Sequence, residues 1–207
     1  ETGLLLILHS LALFAVMLTA LPIIFHLTTP QSYRIALLVA TLLALPSLPG
    51  LIGGAGWRRI LLLATLPIVM AGVGWLARVW VPPATLWLTE VAISDRFDGT
   101  QRTPGDSLQQ LTPDQLRDDG LYAYTAINAP RGLDERIYHV WQHNGHEVDR
   151  IALNISGGRK EGYRAWTHKL NFPTAPEGRW QVRVVTEAGQ MIGVLRFEVL
   201  PAGSVTR

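Results

Sequence analysis

Residues 138–150, YHVWQHNGHEVDR, crowd three histidines, a glutamate and an aspartate around an Asn-Gly pair. Imidazoles and carboxylates so grouped are the donors of zinc centres and of general acid–base pairs. Asn144-Gly145 supplies positive φ at both centres of a type I′ turn, which predicts a hairpin. In that hairpin His143 faces His146, Trp141 faces Val148 and His139 faces Arg150. His143 and His146 would then offer two ligands with Cβ atoms about 5 Å apart. His139 is too far along the strand to be the third, about 13 Å from His143, and Glu147 points to the opposite face. A three-ligand centre needs His168 from another strand, so the candidate metal set is His143, His146 and His168. HEVDR also begins like the H-E-x-x-H of zinc proteases. Arg150 stands where the second His must be, and that motif needs a helix. A polar hairpin tip is the preferred reading.

Other catalytic patterns are incomplete. NISGG around Ser156 lacks the first glycine of a nucleophile elbow. The glycines of GLIGGAG follow an apolar run rather than a strand, so they do not make a dinucleotide fingerprint; Gly50 and Gly54 keep only the spacing of a helix-packing face. No catalytic residue and no cofactor is assigned. Cysteine is absent, which removes disulfides, thiolate metal sites and a cysteine nucleophile.

A binding surface has better support. In YRAWTHKL, Trp166 shares a strand face with Arg164 and His168, while Tyr163, Ala165 and Thr167 form the other. With the alanine face inward, Trp166 stands between two hydrogen-bonding groups, suited to stack on a sugar ring or a partner loop. Tyr122 and Tyr124 fall together on one face and extend that surface. The expected ligand-binding residues are Trp166, His168, Arg164, Tyr122 and Tyr124. Trp180 and Trp141 read as core by alternation.

These strands belong to the second of two unlike parts. Of 18 Lys/Arg only Arg34, Arg58, Arg59 and Arg78 fall in residues 1–82, and of 16 Asp/Glu only Glu1 does. The remainder is near neutral and carries no clustered cationic footprint, so nucleic acid is not an expected partner. Residues 4–25, 35–54 and 60–81 are three apolar runs of spanning length, about 30 Å of hydrocarbon at 1.5 Å per residue. Pro46 and Pro49 should shorten the second. Trp57, Trp80 and Trp87 sit where interfacial anchors belong. His9, inside the first run, should bond to another helix. The first run lacks the marks of a signal peptide, and a chain opening on ETG is expected to have further helices upstream. Positive-inside reasoning puts the Arg58-Arg59 loop in the cytoplasm, so the third helix should deliver the C-terminal part to the far side.

Pro82-Pro83 ends the helical part. TLWLTEVAI should place Trp87, Thr89, Val91 and Ile93 on one face. A polar loop follows, holding one short helix: Thr112 as N-cap, Pro113 at its first turn, Gln115 completing the box and Gly120 closing it. From Leu121 six short β-favouring runs alternate with turn signals, as in an all-β, immunoglobulin-like sandwich. The expected organisation is a transmembrane anchor of about three helices over 1–82, a strand, polar loop and short helix over 83–120, and the sandwich over 121–207.

The stretch LYAYTAINAPRGLDERIYHVWQHNGHEVDRIALNISGGRKEGYRAWTHKLNF, with the later GRWQVRVVTEAGQMIGVLRFEV, resembles a bacterial family known as domain of unknown function twenty-nine fourteen. The Trp-x-x-Asn-Gly hairpin, the Gly-Gly-Arg turn and the closing hairpin come in order over residues 121–199. In such proteins the domain often follows several membrane helices. The resemblance implies a membrane-tethered envelope domain and carries over no catalytic residue.

The function expected is a non-catalytic recognition or assembly module, held in a bacterial inner membrane by several spans with the sandwich in the periplasm. Its partners would be the lipid bilayer and an envelope glycan or membrane protein. Two alternatives stay open: a metal-binding sensor or metal-dependent enzyme using the three histidines, and a subunit of an envelope transport or polymer-export complex.

Overall fold

The computed structural model describes residues 2–47 and 56–201. The chain divides into two compact units, Glu1–Ala84 and Thr85–Arg207.

In the first unit, α1 (Thr2–Phe25) and α3 (Trp57–Ala77) flank a shorter α2 (Thr29–Ala44). Helix α2 opens on a capping box, with the Thr28 N–H donating to Gln31 Oε1 at 3.1 Å and Pro30 in the first turn. It ends before Pro46, which sits in a 3-10 turn, Leu45–Ser47. Sixteen residues reach about 24 Å, short of the hydrocarbon thickness. Among the described residues, therefore, two helices rather than three are long and apolar enough to cross a membrane, Ile7–Phe25 and Ile60–Trp80. The second apolar run continues into residues 48–55, so the Gly50/Gly54 spacing lies outside the described residues. Almost none of either span is buried, and Leu8, Ile24, Ile60 and Ile68 lie exposed. A buried core helix would show the reverse. His9 bonds within its own helix, Nδ1–H to Leu5 O at 2.7 Å, rather than to a neighbour as expected.

In the second unit a three-stranded sheet, β1 (Trp87–Ser94), β5 (Leu121–Asn128) and β8 (Tyr163–Lys169), is ordered β1-β5-β8. A five-stranded sheet runs β4-β10-β9-β6-β7: β4 (Gln110–Leu111), β6 (Asp134–His143), β7 (His146–Ser156), β9 (Gly178–Thr186) and β10 (Met191–Val199). The two form a β-sandwich-like body. A small hairpin of β2 (Phe97–Asp98) and β3 (Thr103–Pro104) lies in the segment expected to be loop alone. The short helix α4 (Pro113–Asp118) is capped as its residues dictate, with the Thr112 N–H on Gln115 Oε1 at 2.8 Å and Gly120 at φ +68° after it.

The inner faces are apolar by alternation. Trp180, Val182 and Val184 of β9 and Leu195, Phe197 and Val199 of β10 join Ile137 and Trp141 of β6 in one core with Ile93, Ala123, Ile127 and Ala165 of the other sheet. Two bulges alter the expected registers. In β1 the extra residue is Thr89, which flips the parity: Leu88 packs on the core and Trp87 is 52% exposed. The expected common face of Trp87, Thr89, Val91 and Ile93 is thus broken. In the β6–β7 hairpin Val148 is the extra residue, so Trp141 faces Asp149 and His139 faces Ile151, while His143 still faces His146. Period-two counting carries no information on an inserted residue.

Candidate functional site

Asn144 and Gly145 have φ of +48° and +88°, the left-handed pair a type I′ turn needs. The turn is docked on the start of β9. The Asn144 N–H donates to Arg179 O at 2.9 Å, and Asn144 Oδ1 accepts the Arg179 N–H at 3.1 Å. His143 Nε2–H donates to Glu177 O at 2.9 Å while its ring stacks on Trp180, 4.5 Å between centroids. His168 lies on β8 in the other sheet, with Nε2–H on Asp119 O at 2.8 Å. The structure therefore pairs His143 with His146 and does not bring His168 to them. No group of three or more His, Asp or Glu is placed to hold a metal among the described residues.

The outer face of the three-stranded sheet carries the expected aromatic surface, but the chain itself covers it. Ala165 and Thr167 are inward as read, and Tyr122 lies opposite His168 and Tyr124 opposite Trp166. The β2–β3 hairpin folds over them and lays Phe97 on Trp166, 4.4 Å between ring centroids, and on Tyr122 at 5.4 Å. Arg164 Nη1–H holds the hairpin through Gln101 O at 3.0 Å. Tyr124 is fully buried, with its hydroxyl donating to Glu90 Oε2 at 3.3 Å. Burial first, and the Glu90 carboxylate second, push its phenol above the ordinary range. Tyr124 is thus a packing residue, and the open stacking surface expected on Trp166 is filled by Phe97. The missed signal was a lone aromatic in a polar stretch. Phe97→Ala should uncover Trp166 and cost about 2–4 kcal/mol; red-shifted tryptophan emission with a lowered urea midpoint checks both.

Between the sheets sits a polar chain that alternation had not marked. His139 is fully buried, with Nε2 3.1 Å from Thr125 Oγ1 and Nδ1 3.1 Å from Thr167 Oγ1. Trp141 Nε1–H donates to Thr167 Oγ1 at 3.3 Å, and Thr125 Oγ1–H donates to Ala165 O at 3.3 Å. One assignment satisfies every group: Thr167 Oγ1–H donates to Nδ1, and Nε2–H donates to Thr125 Oγ1. The imidazole is neutral, and burial lowers its pKa to about 3.

The open face of the five-stranded sheet holds a concavity. Its cavity, about 1070 Å³, is lined by Gln109, Gln110, Asn144, Gln181, Arg179 and Arg196, with Trp180 and Phe197 at its floor. Register builds it. Gln181 lies opposite Arg196 on β10 and Gln142 on β6, and its side-chain amide donates to Gln142 Oε1. Arg179 and Arg183 lie two residues to either side of Gln181 on β9. Arg196 is thus directly across from the glutamine and diagonal to both arginines, about 7–8 Å away. Glu198, opposite Arg179, is the one carboxylate lining the cavity. Arg179, Arg183 and Arg196 form no ion pair among the described residues, whereas Arg150 is held by Glu147 at 3.0 Å and Arg136 by Glu187 at 4.0 Å. Guanidinium forks ringing a side-chain amide suit a ligand that carries both anionic oxygens and hydroxyls.

Among the curated proteins none matches this chain. Among solved structures it is similar to Pseudomonas fluorescens alkylpurine DNA glycosylase AlkC bound to DNA containing an abasic site analog, at 13% identity and a TM-score of 0.35. That match covers 83% of this chain and 47% of the other, so the chain spans about half the length of that protein. A likeness so slight carries no argument. Residues 134–199 match the family described as "Protein of unknown function (DUF2914)", the resemblance read from the hairpins. Residues 1–123 match a second family, so that the helical unit, β1 and the capped helix α4 arrive together, and by that match the chain belongs to the "Family of unknown function (DUF5924)".

Proposed function

We propose that the chain is a membrane-anchored recognition module, whose sandwich binds an acidic envelope glycan on the open face of its five-stranded sheet without transforming it. The observation that carries this reading is the placing of Arg179 and Arg196 in a cavity walled by amides, with Arg183 on the same sheet face, three guanidiniums that form no ion pair among the described residues. Carboxylates or phosphates on the sugar would meet the arginines, and hydroxyls the amides of Gln109, Gln110 and Gln181. In this reading the body is of the immunoglobulin-like kind.

The helical unit is the inner-membrane anchor, and the sandwich faces the periplasm. The exposed apolar surfaces of α1 and α3 support the bilayer. Orientation rests on Arg58 and Arg59 at one end of α3. That pair, between the second and third apolar runs, outnumbers Arg34 beside the connection between the first and second. A periplasm-dependent reporter joined to the C-terminus should be active, and a cytoplasm-dependent one silent.

The binding test titrates the unit Thr85–Arg207 with acidic and with neutral envelope polysaccharide. The acidic fraction should bind with an affinity that falls as salt rises. Arg179→Ala with Arg196→Ala should weaken it by about tenfold or more, two charge-assisted contacts being lost. Equal binding of neutral polymer, or an unaffected double variant, would defeat the reading. Capture of an acidic protein segment in place of glycan would move the ligand to another class.

A further inference from the structure

In the helical unit, two arginines from different helices meet at one ring. Arg34 of α2 has its guanidinium carbon 5.4 Å from the Trp75 ring centroid, and that of Arg78, in the turn after α3, is 4.5 Å from it. The two charges therefore lie within about 10 Å of one another. We propose that Arg34, Arg78 and Trp75 bind a phosphate group, of the kind a net-anionic phospholipid headgroup presents.

Packing holds the site in place. Tyr33 Oη–H donates to Gly74 O at 2.6 Å, directly before the tryptophan, and Phe14 of α1 meets the Tyr33 ring edge-on at 5.4 Å. A Cβ on Gly74 would stand 2.6 Å from Leu37 Cδ1, so α2 and α3 meet closely at this glycine, next to Trp75. Arg78 is fixed from its own side, Nη1–H on Trp75 O at 2.8 Å. Two cations gathered at one ring attract an anion, and the sequence offers none locally: residues 2–84 contain no Asp or Glu. Neither arginine forms an ion pair among the described residues. A phosphate accepts guanidinium hydrogen bonds in bidentate fashion, and a tryptophan near a helix end is the anchor expected at headgroup depth.

The inference rests on the reading of this unit as membrane-embedded. It is tested on the full chain in mild detergent, by native mass spectrometry of retained phosphatidylglycerol against phosphatidylcholine. The wild type should retain the anionic lipid about tenfold more. Arg34→Gln with Arg78→Gln should abolish that preference, while Arg34→Lys with Arg78→Lys, which keeps the charges, should restore most of it. Displacement by inorganic phosphate would assign the site to a soluble phosphate, and resistance to it would assign the site to lipid. Equal retention of the two lipids with no phosphate binding, or a preference that survives the glutamine pair, overturns the site. Membrane attachment is scored separately by carbonate extraction. A chain that stays in the bilayer without the preference overturns the site alone, whereas a chain released by carbonate overturns the membrane reading with it.

Discussion

Lowering the pH from 7 to 4 should weaken the sandwich by about 3 kcal/mol through His139 alone, and to pH 3 by about 4–5 kcal/mol. The folded imidazole has a pKa of about 3, below its ordinary 6.5, because burial disfavours the cation. The sign follows from proton counting. Below pH 6.5 the unfolded chain takes up a proton that the folded chain does not, so stability is full above 6.5 and drains away down to about 3. Neighbouring groups reinforce the neutral form, since Thr167 and Thr125 are matched to one donor and one acceptor on the ring. His139→Gln keeps a neutral, hydrogen-bonding side chain that does not titrate. Urea unfolding of Thr85–Arg207 at several pH values should show this variant less stable at pH 7 but with a markedly flatter decline below 6.5. An unchanged slope would mean that the ring is not buried in its neutral form.

Replacing Trp180 by alanine should cost about 3–5 kcal/mol, the range for emptying a large aromatic site. The side chain is 1% exposed and lies parallel to Phe197 at 5.8 Å, with Phe172 edge-on at 5.2 Å. Its Nε1–H donates to Pro176 O at 2.7 Å, so the loop before β9 loses a bond as well. The His143 ring stacked on it loses its support, and with it the dock of the Asn144-Gly145 turn. Trp180→Phe should recover more than half of the loss, since it refills most of the volume without the N–H. A denaturant midpoint lowered equally by both substitutions would show that the hydrogen bond outweighs the packing.

What could be read from the residues follows a physical division. Alternation marks the core of β9 over Arg179–Val184 and of β10 over Leu195–Val199, because there each inward position is apolar and each outward one polar. Asn-Gly fixed the hairpin turn, and Thr112-Pro113 with Gln115 fixed the capped helix, since local chemistry decides both. Bulges at Thr89 and Val148 were invisible, because an inserted residue leaves the composition of a strand unchanged. Phe97 lay unmarked within a polar run and took the place foreseen for a ligand on Trp166. The arginines of β9 and β10 were legible as a solvent face, but their convergence on Gln181 depends on register across strands. Lateral neighbours are set by pairing, which one strand's sequence does not state.

The most direct test of a ligand surface on the five-stranded sheet follows side-chain signals by nuclear magnetic resonance. The unit Thr85–Arg207 would be titrated with short acidic oligosaccharides cut from envelope polymer. The amides of Gln109, Gln110, Asn144 and Gln181 and the guanidinium signals of Arg179 and Arg196 should shift and saturate together, while the Trp166 indole stays where it was. Shifts confined to Trp166, Tyr122 and Phe97, or none at saturating oligosaccharide, would contradict the assignment of this face.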